Sequence, residues 1–261
     1  MRILITNDDG ITAPGFAVLE RIAAEVAGSA DNVWVVAPGF EQSGVGHCIN
    51  YTRPTLITEM GKQRFAIEGS PADCVLVGLH EVMADAKPDL ILSGVNRGNN
   101  AGENTLYSGT IGACIEAVLQ GVNAIALSQF YGPAYATAEN AFEAAQVHGP
   151  AVIRNLIDNG IWTEDPYRVF YNVNFPPVMA ADVKGHQVVS QGFRPTTRFR
   201  TEAFTAPNRR KYTWITGGNQ QEPTGLGTDV QANIDGYTSI TPMRVDLTAH
   251  DLLDDLKARL S

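Results

Sequence analysis

Short β-rich runs alternate with helical patterns through the first half of the chain, and this alternation restricts the possible folds most strongly. The strand-like runs are residues 2–6, 32–37, 89–93 and 123–128. The helical patterns cover residues 15–27, 72–84 and 111–120. Strands that alternate with helices predict a parallel sheet covered on both faces. We therefore expect an α/β fold with a doubly wound, mostly parallel sheet.

The remaining segments suggest additions to this sheet. Residues 49–69 predict short strands in an antiparallel insertion, and residues 135–156 predict a long helix that Gly149-Pro150 could break. After about residue 165 the predicted strands are residues 167–174, 186–190, 210–216 and 237–241, and the predicted helices are residues 229–234 and 249–259. Residues 217–219 and the polar residues beside them predict an exposed turn or the tip of a hairpin. We expect one domain, with a catalytic core over residues 1–165 and a C-terminal extension over residues 166–261.

Composition and charge exclude several classes of function. The 261 residues carry a net charge of −9, which disfavours a nucleic-acid polymer or an anionic membrane as partner. We expect no signal peptide and no membrane-spanning segment. Cys48, Cys74 and Cys114 are widely spaced in apolar surroundings, so buried, reduced thiols and a cytoplasmic location are predicted.

Two adjacent carboxylates, Asp8 and Asp9, follow the first predicted strand directly. Ligands of open α/β sheets bind outside the carboxyl ends of the strands, so this position favours chemistry. Gly10 permits a turn that brings the carboxylates together, and a divalent cation between them would relieve their repulsion. Alternatively, both residues only shape the turn and cap the next helix. The two residues alone do not decide between these readings.

Two further loops are expected at the same edge of the sheet. The loop of residues 39–47 offers the hydroxyl of Ser43 as a ligand. The loop after residue 93 is rich in Gly and Asn, and it offers the side-chain amides of Asn96 and Asn100 to a metal or a phosphate. Three loops that each carry a compatible ligand are stronger evidence for a metal or phosphate site than any one of these loops.

Ser108, Gly109 and Thr110 begin the predicted helix that follows these loops. Free N–H groups at a helix N-terminus bind anions, although Ser108 or Thr110 could simply cap the helix. The chain contains neither a Walker-type phosphate loop nor a GxGxxG dinucleotide fingerprint. A phosphate site here would therefore be of another kind.

At these positions the chain resembles the survival protein E (SurE) family of metal-dependent 5′/3′-nucleotidases. The resemblance spans nearly the whole chain and rests on five motifs in the family's order: residues 7–10, 37–44, 93–96, 107–110 and 236–242. It implies a Rossmann-like N-terminal core and a C-terminal part that mediates the formation of a homodimer or homotetramer.

The resemblance also implies the metal ligands. Asp8, Asp9, Ser43 and Asn96 match the family's ligands for one Mg²⁺ or Mn²⁺ ion. The chain departs from the family pattern at Gly39, at Glu103-Asn104 and at Ala117, where an acidic residue, an Asp pair and Gly are usual. None of these is a ligand position, so the departures bear on substrate preference rather than on catalysis.

These observations lead to the hypothesis of a 5′-nucleotidase, an acid-type phosphomonoesterase acting on nucleoside 5′- and 3′-monophosphates. Asp8 and Asp9 are the expected catalytic residues, and the ion that they hold would polarise a phosphoryl oxygen and activate water. Asn100 and the helix start at residues 108–110 are the expected phosphate contacts. The alternatives are a phosphatase with a phospho-aspartyl intermediate and a non-catalytic nucleotide- or metal-binding regulatory module.

Basic residues cluster only in the C-terminal extension, at Arg194, Arg198, Arg200 and residues 209–211. They could steer the substrate or contact a neighbouring subunit. A solvated face of the hairpin is the simpler prediction.

Overall fold

The computed structural model describes residues 1–132, 140–164 and 167–261. Its strands are β1 (Ile3–Thr6), β2 (Val33–Pro38), β3 (Ile57–Gly61), β4 (Arg64–Ile67), β5 (Leu90–Arg97), β6 (Ala124–Gln129), β7 (Phe170–Phe175), β8 (His186–Val188), β9 (Arg200–Thr205), β10 (Lys211–Thr216) and β11 (Thr238–Met243). Its α-helices are α1 (Pro14–Ala27), α2 (Pro71–Val77), α3 (Gly109–Leu119), α4 (Glu143–Asn159), α5 (Asp229–Ile234) and α6 (Leu253–Leu260).

Nine strands form one sheet in the order β3-β4-β2-β1-β5-β6-β7-β11-β8. The six strands from β4 to β7 in this order run parallel to their neighbours, whereas β3 pairs antiparallel with β4 and β11 pairs antiparallel with β7. The α/β class, the mostly parallel sheet and the antiparallel insertion are confirmed. Three strands from the C-terminal extension, β7, β11 and β8, complete the sheet.

Helices cover both faces of the sheet, as the buried strands of a parallel sheet require. Ile3 and Ile5 of β1 pack into a core with residues of α1 and α4, whereas Leu4 between them packs with residues of α2 and α3. A fully buried side chain of this size stabilises the fold by roughly 1.5–3 kcal/mol. Pro14 begins α1 at a position where its fixed φ is favourable, and Gly28 ends it in the left-handed conformation.

The order of the strands reverses direction at β1. The chain places β2 on one side of β1 and β5 on the other, so the loops that follow β1 and β5 diverge. Such a switch point opens a cleft at the carboxyl ends of the strands. The fold thus brings the loops after β1, β2 and β5 to one cleft.

The structure corrects the predicted helix at residues 135–156. Helix α4 begins later and runs unbroken through Gly149 and Pro150, so the predicted interruption is wrong. The first residues of the prediction lie outside the described residues. Pro150 is buried, and a Cβ on Gly149 would lie 2.9 Å from Ile22 Cδ1 of α1. Packing on α1 stabilises the helix where the local sequence favours a break.

The predicted tip of the hairpin is also wrong. Strands β9 and β10 pair antiparallel around a tip at residues 206–210, where Arg209 adopts a φ of 63°. Gly217 and Gly218 follow the hairpin instead, and a Cβ on Gly218 would lie 2.4 Å from Thr197 Cα. The glycine is needed for this close approach rather than for a turn.

Two of the three predicted buried thiols are confirmed. Cys74 and Cys114 are buried and unpaired, and burial raises the pKa of each thiol. Cys48 is unpaired but exposed, so its predicted burial is wrong. Within the described residues, no helix is both long and apolar enough to cross a bilayer.

Gly15 allows α1 to begin directly against β5. A Cβ at this position would lie 2.1 Å from Val95 O and 2.7 Å from Phe142 Cε1. We predict that Gly15→Ala lowers the free energy of unfolding by about 1–3 kcal/mol. The added methyl group would overlap a backbone oxygen of β5, which cannot move aside without distorting the strand. Urea unfolding monitored by circular dichroism measures this change.

Gly149→Ala is the matched control. Its added methyl group meets only side-chain atoms of Ile22, and alanine gains up to about 1 kcal/mol in helix propensity over glycine. We expect a nearly neutral change. Equal losses in the two variants would contradict the account of Gly15.

Candidate metal and phosphate site

The loops after β1, β2 and β5 are joined by hydrogen bonds at the switch point. Gln42 N–H donates to Asp8 O over 2.7 Å, which holds the loop after β2 against the loop after β1. Arg97 N–H, at the end of β5, donates to Asp9 Oδ2 over 3.0 Å. The three loops therefore form one continuous surface.

The turn after β1 separates the two carboxylates. Asn7 Nδ2 donates to Gly10 O over 2.9 Å, and Gly10 adopts a φ of 99°, a conformation that glycine adopts without strain. Asp8 is buried, whereas Asp9 is partly exposed. The two adjacent residues thus lie in different environments.

The buried carboxylate of Asp8 is bound by the first turn of α3. Thr110 N–H donates to Asp8 Oδ2 over 3.0 Å, and Thr110 Oγ1 donates to Asp8 Oδ1 over 2.7 Å. Burial raises the pKa of Asp8 to about 6, although the Thr110 bonds oppose the shift and the neighbouring Asp9 adds to it. A Cβ on Gly109 would lie 2.9 Å from Asp8 Cβ, so glycine is needed here for the close approach.

Asp9 also has a raised pKa. Burial is the main cause; the Arg97 N–H bond opposes it and the nearby Glu41 carboxylate adds to it. Ser43 Oγ donates to Glu41 Oε1 over 2.8 Å. Negative charge therefore accumulates around Asp8, Asp9 and Glu41.

Asn96 supplies the remaining predicted ligand. Its Nδ2 donates to Gly98 O over 3.0 Å, which leaves Oδ1 as the amide atom available to a ligand. Asn96 lies at the end of β5, opposite Ser128 of β6 in the strand register. The backbone of the sheet thus fixes its position.

These residues fit a divalent cation of the Mg²⁺ or Mn²⁺ type. Asp8, Asp9, Ser43 and Asn96 offer only oxygen atoms, which such ions prefer. Over the described ranges, Asp8 and Asp9 form no ion pair with Lys, Arg or His, and the pKa of each carboxylate is raised. A bound cation would offset this repulsion. No group of three His, Cys, Asp or Glu side chains that could hold a metal occurs in the described part of the chain, so hydroxyl and amide oxygens must contribute.

Two neighbouring cavities open at these loops. The first cavity, of about 400 Å³, is lined by Asp8, Ser43, Gly44, Asn96, Arg97, Gly98, Asn99, Asn100, Asn104, Tyr107, Ser108, Phe130, Tyr131, Phe199 and Gln220. The second cavity, of about 600 Å³, is lined by Asp9, Thr12, Ala13, Pro14, Gly15, Glu41, Ser43, Arg97, Tyr131, Asn140, Ala141 and Phe142. Three of the four predicted ligands line the first cavity, and Asp9 lines the second. Ser43, Arg97 and Tyr131 line both.

The predicted phosphate contacts divide into two groups. Asn100 and Ser108 line the first cavity, although Ser108 Oγ also accepts a bond from Ile111 N–H and so caps α3. Thr110 is fully buried, and Gly109 packs against Asp8. Because the N–H and the hydroxyl of Thr110 both donate to Asp8, Thr110 has no free donor for the predicted contact with phosphate. Thr110 instead positions Asp8.

Arg194 of the C-terminal extension clamps the loop between β5 and α3. Its buried guanidinium donates to Glu103 Oε1 over 2.8 Å, to Ala101 O over 2.9 Å and to Gln220 O over 2.9 Å. The predicted solvated face is therefore wrong for Arg194. Arg198, Arg200 and residues 209–211 are exposed on the chain, which fits either a solvated face or a contact with a neighbouring subunit.

A buried carboxylate binds the same loop from α5. Asp229 accepts bonds from Gly102 N–H over 2.9 Å and from Gly192 N–H over 2.8 Å. Burial raises the pKa of Asp229, and these N–H bonds oppose the shift. Asn104 Nδ2 donates to Gln220 Oε1 over 2.6 Å. The C-terminal extension thus helps to shape the first cavity.

Several cavity residues escaped the sequence analysis. Tyr107 and Phe199 lie edge to face with ring centroids 5.0 Å apart, and both rings are exposed. Phe199 and Gln220 are far from the motifs along the chain, and no local signal identifies them. The sequence does single out Arg97, because it is the one cation in residues 96–100, where the other residues are Gly and Asn.

The comparisons with known proteins identify the family of the chain. A family model described as Survival protein SurE matches residues 3–198. The chain belongs to the SurE family. Similar SurE relatives include the 5′-nucleotidase SurE of Ruegeria pomeroyi, 62% identical over 260 residues with 100% of both chains covered. That of a Jannaschia species is 62% identical over 259 residues with 98% of each chain covered. The crystal structure of a SurE protein from Aquifex aeolicus has a TM-score of 0.81 at 32% identity, with 100% of both chains covered.

The departures from the SurE family pattern can now be placed. Ala117 is buried within α3, and a Cβ on Gly39 would have only Ile67 O within 4 Å, at 3.8 Å. Glu103 forms the ion pair with Arg194. Of the departing residues, only Asn104 lines either cavity.

We predict that Asp8→Asn stabilises the metal-free protein. An aspartate pKa raised from 3.8 to about 6 means that the folded state binds the proton more tightly than the unfolded chain. The wild type therefore loses stability as the pH rises from about 4 to about 6, by on the order of 3 kcal/mol. Above pH 6 the variant should unfold at a higher temperature in chelator, and near pH 4 the gain should vanish.

Differential scanning calorimetry at several pH values measures this effect, with Asp85→Asn as the control at an exposed carboxylate. A variant that is less stable than the wild type at pH 8 in chelator would contradict the raised pKa of Asp8.

Proposed function

We propose that the chain is a metal-dependent phosphomonoester hydrolase that removes phosphate from nucleoside 5′- and 3′-monophosphates. The observation that carries this proposal is the Asp8 carboxylate, held by Thr110 at the start of α3 and adjoined by Asp9, Ser43 and Asn96. Similar relatives named 5′-nucleotidase SurE cover the whole chain. Asp8 and Asp9 are the proposed catalytic residues.

Asp8, Asp9, Ser43 and Asn96 would hold one Mg²⁺ or Mn²⁺ ion. When bound, the ion supplies Lewis-acid polarisation of the phosphoryl group and activation of water. Thr110 fixes both oxygens of Asp8, so this carboxylate cannot rotate away. Asp9 has only Oδ2 engaged by Arg97 N–H, and it is partly exposed, so Asp9 Oδ1 is the better placed atom to orient the attacking water and accept its proton.

The phosphate would be held by Asn100 and Ser108 in the first cavity, together with the N–H of Gly109 at the start of α3. Tyr107 and Phe199 supply exposed aromatic rings in the same cavity. Nucleobases stack on such rings with little sequence preference. The first cavity therefore suits a phosphate joined to an aromatic base.

The proposal includes a homodimer or homotetramer in the cytoplasm. Every residue of β9, β10 and α6 is exposed, and Phe204, Tyr212 and Trp214 stack on the hairpin. These apolar groups favour a contact with a second copy. The three unpaired cysteines are typical of a reducing compartment. The net charge of −9 disfavours a nucleic-acid polymer as the main partner.

We predict Mn²⁺- or Mg²⁺-dependent release of phosphate from a panel of nucleoside monophosphates, measured as inorganic phosphate. Chelation should abolish release, and Asp8→Asn should lower kcat/KM by about 100-fold or more while the fold persists. Asp85→Asn, at an exposed carboxylate, is the matched control.

Normal turnover by Asp8→Asn with added Mn²⁺ would exclude the assignment. Trapping of a covalent phosphate on Asp8 would indicate the phospho-aspartyl mechanism instead. Metal-dependent binding of nucleotide without phosphate release would indicate a regulatory module.

We further predict that Phe199→Ala lowers kcat/KM for AMP about tenfold, because base stacking contributes about 1–3 kcal/mol. The same variant should hydrolyse ribose 5-phosphate nearly as well as the wild type does. Phe193→Ala, at an exposed phenylalanine outside both cavities and outside the hairpin, is the control. Equal losses with both substrates would contradict a contact between Phe199 and the base.

A further inference from the structure

Arg97 is the one Lys, Arg or His side chain among the described residues that line the two cavities. It lines both of them, whereas the carboxylates that surround it are Asp8, Asp9 and Glu41. The sequence analysis gave this arginine no role. A lone cation at the junction of two acidic cavities requires an explanation.

The backbone of Arg97 is held firmly. It is the last residue of β5, it pairs with Gln129 of β6, and its N–H donates to Asp9 Oδ2. Its guanidinium carbon lies 5.5 Å from the centroid of the Tyr131 ring, a cation–π distance. The backbone and the ring together hold this side chain where the two cavities meet.

The guanidinium hydrogen-bonds to Tyr131 and keeps further N–H donors for a ligand. Over the described residues, Arg97 forms no ion pair with a carboxylate within 4 Å, although other arginines such as Arg64 and Arg194 do. The side chain is also exposed. A guanidinium presents five N–H donors in a planar fork that matches two oxygens of a phosphate.

The charges of the site favour an anion at this position. A divalent cation held by Asp8 and Asp9 would leave the pair formally neutral, and Glu41 would leave the region negative. A phosphomonoester dianion entering such a site is repelled unless a further positive charge is present. Arg97 supplies that charge.

We propose that Arg97 is a substrate-binding residue whose guanidinium donates to two phosphoryl oxygens of the phosphomonoester and of the phosphate product. This inference rests on the proposed function. The competing role is purely local: the side chain would only offset the charge of Asp9, without touching substrate.

The test compares Arg97→Ala and Arg97→Lys with Arg21→Ala, which removes the same charge from an exposed position on α1. The first measurement is calorimetric binding of inorganic phosphate to the Mn²⁺-loaded protein. Arg97→Ala should raise the Kd by about tenfold or more, and Arg97→Lys should recover part of the loss, since a single ammonium keeps the charge but not the fork. Arg21→Ala should bind phosphate as the wild type does.

The second measurement is the affinity for Mn²⁺ without phosphate, by electron paramagnetic resonance. Arg97→Ala should bind Mn²⁺ as tightly as the wild type or more tightly, because it removes a positive charge near the ion. In steady-state assays with AMP, KM should rise about tenfold or more.

Phosphate affinity within twofold of the wild type in Arg97→Ala would overturn the proposal, and a change confined to Mn²⁺ binding would identify the local role. The proposed function fails separately if the wild type hydrolyses no phosphomonoester, because phosphate binding still tests Arg97. A wild type that binds no phosphate with Mn²⁺ present would overturn the proposal for Arg97, and the hydrolysis assay would still decide the proposed function.

Discussion

The site depends on keeping a carboxylate charged inside the protein. Asp8 follows a buried strand, and burial alone strongly favours its protonated form. Thr110, 102 residues further along the chain, opposes this with an N–H and a hydroxyl at the positive end of α3. The same two bonds connect β1 to α3, so the fold and the chemistry share one contact. Without a cation, the charged form of Asp8 lowers the stability of the fold, a cost that is consistent with its proposed role as a metal ligand.

A second layer of buried charge holds the loop between β5 and α3 in place. Arg194 and Asp229 both come from the C-terminal extension, and both bind main-chain groups of that loop. Removing partly buried Glu103 would leave the fully buried charge of Arg194 without its ion-pair partner, which destabilises the fold. The loop carries Asn100, so the extension supports the first cavity as well as the sheet.

Local patterns were sufficient for much of the molecule. Alternating strands and helices predicted the parallel sheet, and the position of Asp8 after β1 predicted its place at the cleft. The same reasoning failed at Pro150, where packing on α1 overrides a local preference against helix. It failed at Arg194, where clustering with other basic residues suggested a solvated face and the structure shows a fully buried side chain. Composition reports charge but not burial.

The sequence by itself determined the class of fold and which oxygen-bearing side chains lie near Asp8. Hydrophobic periodicity indicates which residues form buried strands. Parallel strands place the loops that follow them at one edge of the sheet, so the order of the motifs along the chain predicts oxygen ligands near Asp8. Only the tertiary structure decided that Thr110 serves Asp8, that Phe199 and Gln220 line the first cavity, and that Arg97 lies between two cavities. These contacts join residues distant in the chain, and neither spacing nor propensity carries information about which distant groups meet.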